Sequence, residues 1–255
     1  MSVHSLPASR STDPVTQAKV QLAADHRMAV LHELEEGIDN HFTVTVPGRT
    51  DQYLILPFGW HWSEASASRM VVFDEAGTTL EGEGKVELSA YCIHAPIHRI
   101  TGAKVVLHTH QTWALALNML RDNRLLDANQ TAAFFHGRIA YDDHYQGTAD
   151  TPAEGERLAK LMGDKSIVFM KNHGVLVAGD TIAQAYRRLY KLERVCRAQV
   201  LAMSTGQPLE VLSEAIVKQV QTDPVDDRHS RADRERLYFD AMMRVLDREN
   251  PGYDA

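Results

Sequence analysis

Residues 104–110, KVVLHTH, constrain this chain most, because they combine a buried strand with two metal-binding side chains. Side chains two positions apart on a strand lie on the same face, about 6.5–7 Å from each other. His108 and His110 can therefore converge on one cation, and imidazole nitrogens are good ligands for zinc or ferrous iron. The stretch predicts a strand with half of a metal site at its end. The alternative is a histidine pair that merely ends a strand near the surface.

A second stretch, residues 167–179, supplies a third imidazole. Two apolar runs flank Asn172-His173-Gly174, which is the pattern of two strands joined by a tight turn. We expect Gly174 to take the positive φ that such a turn requires, which leaves His173 to project from the strand end. If both stretches belong to one sheet, His173 can join His108 and His110 around a metal ion.

Composition narrows the class of protein. With 255 residues and 44% hydrophobic content, the chain can bury one large core. A net charge of −7 argues against a nucleic-acid partner, and no apolar run has the length of a membrane span. Cys92 and Cys196 are too few for a disulfide framework, and the N-terminus lacks the apolar core of a signal peptide. We therefore expect a cytoplasmic protein with no membrane partner.

The order of the predicted elements indicates one main domain, at residues 13–210. Residues 1–12 are predicted to form a disordered arm, and residues 211–255 a helical extension that packs on the domain or on a neighbouring subunit. Asp13 and Pro14 are typical of a helix start. Hydrophobic periodicity predicts the following helices and strands: helices at 13–36, 89–100, 181–205 and 231–248, and strands at 40–46, 53–56, 70–74, 104–110, 167–170 and 175–179. The polar run at 76–85 is predicted to be a surface connection.

Three further histidines each allow two interpretations. His94 and His98 are four residues apart on a predicted helix, so they share one face. With apolar neighbours they are expected to pack that helix near the site, although this spacing can also bind metal. His61 lies between Trp60 and Trp62, where it either packs in the core or belongs to a loop that faces the substrate.

Three sequence blocks together resemble the class II aldolase/adducin family. They are Val106-Leu107-His108-Thr109-His110, residues 171–179, and Ala183-Gln184-Ala185 leading to Leu192-Glu193-Arg194-Val195-Cys196. The resemblance implies an α/β fold, a single three-layer α/β/α domain with a largely antiparallel central sheet. It also implies a homotetramer with active sites between subunits, and His108, His110 and His173 as ligands of a divalent metal. Zinc is the first expectation, with Fe(II) or manganese as alternatives.

Differences from the sugar-phosphate aldolases of that family indicate which class of substrate to expect. Those enzymes bind phosphate through Gly-Asn-x-Ser and Thr-Gly segments, whereas this chain has Ile38-Asp39-Asn40-His41 and Pro57-Phe58-Gly59. An acidic and a bulky aromatic side chain are poor donors to a phosphate dianion. The chain therefore resembles the branch that does not act on sugar phosphates, the adducin-like bacterial branch. We expect a small unphosphorylated substrate, with Asn40, Gly59 and His61 as candidate binding residues.

The expected activity is that of a metal-dependent lyase. It would cleave a C–C bond of a small hydroxy or keto acid, by retro-aldol reaction or decarboxylation, through a metal-stabilised enolate. Sugar-phosphate aldolases have a catalytic Glu at the position of Ala90, so the proton carrier here is predicted to be the nearby Glu87 or a C-terminal tyrosine, Tyr238 or Tyr253. The alternatives are a non-heme iron oxygenase on an aromatic or hydroxy acid, and a non-enzymatic adducin-like scaffold.

Overall fold

The strands β5 and β8, next to the three candidate metal-binding histidines, are neighbours at the centre of one eight-stranded sheet. The computed structural model describes residues 11–145, 147–222 and 230–255, so most of the predicted N-terminal arm lies outside the described residues. The strands are β1 (His41–Thr45), β2 (Gln52–Ile55), β3 (Val71–Asp74), β4 (Thr79–Glu81), β5 (Val105–Thr109), β6 (Ile139–Asp142), β7 (Ile167–Met170) and β8 (Val175–Gly179). Their order is β4-β3-β2-β1-β5-β8-β7-β6, and only the β6–β7 pair is parallel.

Helices cover both faces of the sheet, and the predicted three-layer fold with a largely antiparallel sheet is thereby confirmed. The described helices are α1 (Pro14–Leu31), α2 (Leu88–Thr101), α3 (Thr112–Asn118), α4 (Gln130–Ala133), α5 (Pro152–Met162), α6 (Ile182–Met203), α7 (Glu214–Thr222) and α8 (Arg231–Glu249). Short 3₁₀ turns lie at Trp62–Glu64 and Ala67–Arg69. None of the helices in the described part of the chain has the length and apolar character needed to cross a bilayer.

Alternation along β5 assigns its side chains to the two layers. Val105 and Leu107 belong to the larger core, which includes the buried faces of α1, α6 and α8. Val106 belongs to the core beneath α2 and α5. Because the side-chain period of a strand is two, His108 faces the α2 layer with Val106. The strand therefore determines which layer contains the candidate site.

Two helices of that layer pack unusually close together, at Gly155 of α5. A Cβ atom built on Gly155 would lie 2.0 Å from the carbonyl oxygen of Cys92 in α2. Pro96, inside α2, has no N–H to donate to that carbonyl four residues earlier. Because Gly155 has no side chain, α5 can pack directly against the Cys92 carbonyl of α2. This close packing holds α2 in its place on the sheet.

Several predicted boundaries need correction. Helix α1 begins at Pro14 with Asp13 as its N-cap, as predicted, but it ends at Leu31 and not near Glu36. The segment predicted as a surface connection at 76–85 contains the short edge strand β4. In the C-terminal region, Phe239, Met243 and Leu246 of α8 are buried in the larger core, in which α8 packs on α6 and α1 of the same chain.

Candidate metal centre

The structure brings His108, His110 and His173 together at one end of the central strands. One nitrogen from each ring can be chosen so that all three lie within 4.8 Å of one another. Ring centroids are 5.0 Å apart for His108 and His110, 5.0 Å for His108 and His173, and 4.8 Å for His110 and His173. His108 is buried, whereas the other two are partly exposed. Three converging imidazoles with one open side match a catalytic rather than a closed structural site.

Hydrogen bonds to the far side of two rings determine which nitrogens are free. The Nδ1 atom of His108 lies 3.0 Å from the carbonyl oxygen of Val175, which can only accept, so Nδ1 carries the proton. Nδ1 of His110 likewise donates to the carboxylate of Glu36. Nε2 of neutral His108 is therefore unprotonated, and it lies 3.1 Å from Nε2 of His110. A proton or a metal ion shared between these two nitrogens accounts for so short a distance, and such outer partners are typical of metal-binding histidines.

Burial favours the neutral form of His108 and of His173. Burial, and then the neighbouring imidazoles, hold the pKa of His108 well below its usual value. Burial and the adjacent His110 lower the pKa of His173 to about 4. A metal ligand must be the neutral imidazole, so this donor set fits a divalent cation at neutral pH.

The β7–β8 turn positions His173, but not in the predicted way. Asn172 has the positive φ, 55°, and Gly174 does not. Gly174 is needed for space: a Cβ there would lie 2.5 Å from the carbonyl oxygen of Thr109 and 2.8 Å from the His110 ring. The buried Asn118 of α3 closes the turn, because its side-chain amide donates to the carbonyls of Met170 and Gly174. No sequence signal identified this role of Asn118.

A chain of buried polar side chains extends from the site beneath α2. Nδ1 of His98 donates to the Ala103 carbonyl at 2.7 Å, so its Nε2 accepts from the Thr43 hydroxyl at 2.8 Å. The Thr43 oxygen in turn accepts from Nδ1 of His94 at 2.6 Å, and Nε2 of His94 accepts from Nδ1 of His41 at 2.7 Å. One backbone carbonyl thus determines the tautomers of three neutral histidines. The prediction that His94 and His98 pack α2 near the site is confirmed.

The other end of this chain reaches Glu87. The Ser89 hydroxyl donates to a carboxylate oxygen of Glu87 at 3.0 Å, and its oxygen lies 3.2 Å from Nε2 of His41. The His41 ring also lies against the ring of His108, with centroids 5.0 Å apart. Burial, opposed in part by the Ser89 hydrogen bond, raises the pKa of Glu87. A carboxyl group with a raised pKa beside a metal centre is suited to acid–base chemistry.

Asn40 is also placed at the centre. Its side-chain oxygen accepts from the backbone N–H of His110 at 3.2 Å, while its amide nitrogen is buried with no partner in the structure. Asn40, His41 and Glu87 line one small cavity together with Phe58 and Trp60. The unpaired amide is a donor available to an oxygen atom of a ligand.

Three other predicted residues lie in an exposed loop, a 3₁₀ turn and the C-terminal segment. Gly59 is on an exposed loop with φ 98°. His61 forms the N-cap of the 3₁₀ turn at Trp62–Glu64, where its Nδ1 accepts the Ser63 N–H. Tyr253 is buried within its own chain and its hydroxyl donates to Asp247 at 2.5 Å. Of the predicted proton carriers, Glu87 is the one that Ser89 and His41 link to His108.

The fold and the three-histidine centre agree with the comparison to known proteins. The model of the class II aldolase and adducin N-terminal domain matches residues 20–200, which is most of the chain. This protein therefore belongs to the class II aldolase and adducin family. A protein of Pseudomonas aeruginosa whose name assigns it to aldolase class 2 is 31% identical over 258 residues, covering 99% of this chain and 98% of that protein.

Solved structures and named relatives agree with this assignment. The crystal structure of an aldolase II superfamily protein from Pseudomonas syringae has a TM-score of 0.87 and 31% identity, and covers 96% of this chain and 98% of that one. The decarboxylase NovR of Streptomyces niveus is 28% identical over 79% of this chain and 77% of its own length. A 4-hydroxy-3-prenylphenylpyruvate oxygenase/4-hydroxy-3-prenylbenzoate synthase of Streptomyces roseochromogenus is 28% identical over 76% of this chain and 72% of its own.

Proposed function

We propose that the protein is a metal-dependent lyase that cleaves a C–C bond of a small unphosphorylated hydroxy or keto acid. The observation that carries the proposal is the convergence of His108, His110 and His173, whose nitrogen atoms lie within 4.8 Å of one another, with the Nε2 atoms of His108 and His110 3.1 Å apart. His108, His110 and His173 would hold the divalent metal, with zinc as the first candidate and Fe(II) or manganese as alternatives. The bound metal supplies Lewis-acid stabilisation of negative charge on a substrate oxygen.

The protein side chains perform the remaining tasks. The buried amide nitrogen of Asn40 donates to a substrate oxygen and orients it toward the three histidines. Glu87 holds or moves the proton at the reacting carbon, and the Ser89 hydroxyl, which lies beside His41, donates to its carboxylate. The exposed rings of Phe58 and Trp60 lie beside this cavity and contribute an apolar wall. Decarboxylation and retro-aldol cleavage both need this arrangement, and the relative named as a decarboxylase supports the former.

Metal content is the first test. We expect the purified protein to contain near-stoichiometric divalent metal, and the double variant His108→Ala, His110→Ala to lose it, measured by elemental analysis of both proteins. Each protein is then incubated with a panel of small hydroxy and keto acids, and released CO₂ and aldehyde are measured. Product formation should require the metal-loaded wild-type protein. A wild-type protein that binds no metal even after anaerobic reconstitution would overturn the proposal.

Glu87→Gln tests the proton carrier. The variant keeps the size of the side chain but cannot exchange a proton, so we expect turnover to fall by about 10²–10⁴-fold, the usual contribution of a positioned acid or base. Metal content should not change. Glu83→Gln, an exposed position in the same segment, is the matched control and should keep wild-type turnover. If Glu87→Gln turns over normally and Tyr253→Phe does not, the tyrosine is the proton carrier.

Two alternative functions predict different results. An iron oxygenase, which the oxygenase-named relative supports, would consume oxygen with Fe(II) but not with zinc during the same substrate assays. A non-enzymatic scaffold, in keeping with the adducins of the family, would bind no metal. We also propose a homotetramer in the cytoplasm, and light scattering of the purified protein tests the assembly.

A further inference from the structure

A second cavity, of about 350 Å³, has a strongly cationic lining. It lies between α4, α6 and α8, and its lining contains six cationic side chains: Arg138, Arg187, Arg188, Lys191, Arg231 and Arg234. Among the described residues of the lining, Glu235 is the one carboxylate. The whole chain has 34 acidic and 27 basic residues, so this concentration of positive charge runs against its composition. The cavity therefore has a strong local positive potential.

Neutral groups provide the contacts of several of these cations. Arg188 donates to the backbone carbonyl of Ala178 at 2.5 Å. Lys191 and Arg231 lie over the ring of Phe134, at 5.5 and 5.8 Å from its centroid. Burial, and then the guanidinium groups of Arg187 and Arg231, lower the pKa of Lys191. The cations thus destabilise one another, and an anion would relieve this repulsion.

The cavity also contains two unpaired polar atoms. Nε of Arg187 and the hydroxyl oxygen of Ser166 are buried and have no hydrogen-bond partner in the structure. Leaving a buried polar atom unpaired costs about 1–3 kcal/mol. A guanidinium nitrogen can only donate, so its missing partner is an acceptor. Charge and hydrogen bonding therefore both indicate an anion that carries hydrogen-bond acceptors.

This cavity lies away from the metal centre. Ser166, in its lining, directly precedes β7, whereas His173 follows the other end of β7. Four strand residues span roughly 13 Å, at about 3.3 Å for each residue. A ligand of this cavity thus need not contact the three histidines, and the inference does not depend on the proposed lyase reaction.

We propose that the cavity is a binding site for a small phosphorylated molecule. Arginine side chains bind phosphate through pairs of parallel hydrogen bonds, and several arginines here approach one space from different helices. The volume lies in the range of small-molecule sites, roughly 300–1,000 Å³. A phosphate group supplies negative charge to the cationic lining and the acceptor atoms that Arg187 and Ser166 need.

Calorimetry with pyrophosphate tests the site on the full-length protein. We expect saturable binding that weakens at least tenfold in the double variant Arg187→Gln, Lys191→Met. Arg248→Gln, which removes an exposed cation from α8, is the matched control and should bind as the wild type does. Binding should persist in the metal-free His108→Ala, His110→Ala background, because a phosphate bound at the metal centre would be lost there.

Thermal unfolding is a second test, because the double variant should affect stability in opposite directions with and without an anion. Without an anion, Arg187→Gln, Lys191→Met should unfold at the wild-type temperature or above it, since repulsion between cations has been reduced. With pyrophosphate the wild type should be the more stable protein. No saturable binding, binding that survives in the double variant, or binding that requires His108 and His110 would each overturn the proposal.

Discussion

Replacing Gly174 with alanine is expected to remove metal from the protein and to destabilise its fold. The new methyl group would lie 2.5 Å from the Thr109 carbonyl oxygen and 2.8 Å from the His110 ring, and the His108 ring is 3.2 Å away. The first of these atoms is backbone of a central strand, so it cannot move aside without disturbing β5. We expect a loss of about 3 kcal/mol in the free energy of unfolding. Displacement of two ligand rings should lower metal affinity at least about tenfold.

Gly179→Ala is the matched control for this variant. Gly179 ends the same strand, β8, and a Cβ there would lie 3.1 Å from the backbone nitrogen of Ala185, far along the strand from the histidines. It should cost some stability but leave metal content per folded molecule unchanged. Urea unfolding and elemental analysis of both variants separate the two effects. Full metal occupancy in Gly174→Ala would show that the site adapts to the extra methyl group, contrary to this interpretation.

The sequence indicated which three histidines converge, but it did not indicate what positions them. Alternation along residues 104–110 was sufficient to place His108 and His110 on one face, because the period of a strand is fixed. The role of Gly174 was assigned wrongly, since a tight turn needs only one residue with positive φ and Asn172 provides it. The close approach of β5 to the turn involves residues more than sixty positions apart. Local patterns carry no information about such a contact.

The polar chain beneath α2 also depends on contacts between distant residues that the sequence does not reveal. Spacing placed His94 and His98 on one helix face, but their partners Thr43 and His41 belong to β1, which neighbours β5 in the sheet. The pairing of β1 with β5 is what brings Thr43 and His41 beneath α2, close to the candidate metal centre. The position of Tyr253 also depends on a distant contact: the chain after α8 folds back onto the 3₁₀ turn at Ala67–Arg69, where the Ala67 N–H donates to the Tyr253 carbonyl.

Acidification from pH 7 to pH 5 is expected to destabilise the protein strongly, because fully buried imidazoles must remain neutral in the folded state. Burial lowers the pKa of His26 and of His98 to about 4 each, from an ordinary value of 6.5. The unfolded chain takes up protons below pH 6.5 while the folded chain does not, so stability falls with pH between 6.5 and 4. pH 5 lies about 1.5 units below the ordinary pKa of histidine. At about 1.36 kcal/mol per unit, each of these two histidines lowers the free energy of unfolding at pH 5 by about 2 kcal/mol.

Asp25 is a buried acid that acts in the opposite direction. Asp25 is fully buried, both its carboxylate oxygens are unpaired, and burial raises its pKa well above the ordinary value. Its folded form retains a proton that the unfolded form releases, so its contribution to stability grows as the pH falls. His94, whose pKa burial also lowers, adds to the effect of His26 and His98. Burial also raises the pKa of Glu87 and Glu193 and lowers that of His32 and His41, so the buried imidazoles outnumber the carboxyl groups and the net effect of acid is destabilising.

His98→Gln isolates one of these contributions. Glutamine can donate to the Ala103 carbonyl and accept from Thr43, as His98 does, but it stays neutral at every pH. The groups that face this position, His94, Lys104 and the stacked Tyr53, are unchanged in the variant. The difference in unfolding free energy between pH 7 and pH 5, from urea titrations, should therefore be about 2 kcal/mol smaller than in the wild type. An unchanged difference would mean that His98 takes up its proton without unfolding, which the closed hydrogen-bond chain from Ala103 to His41 does not allow.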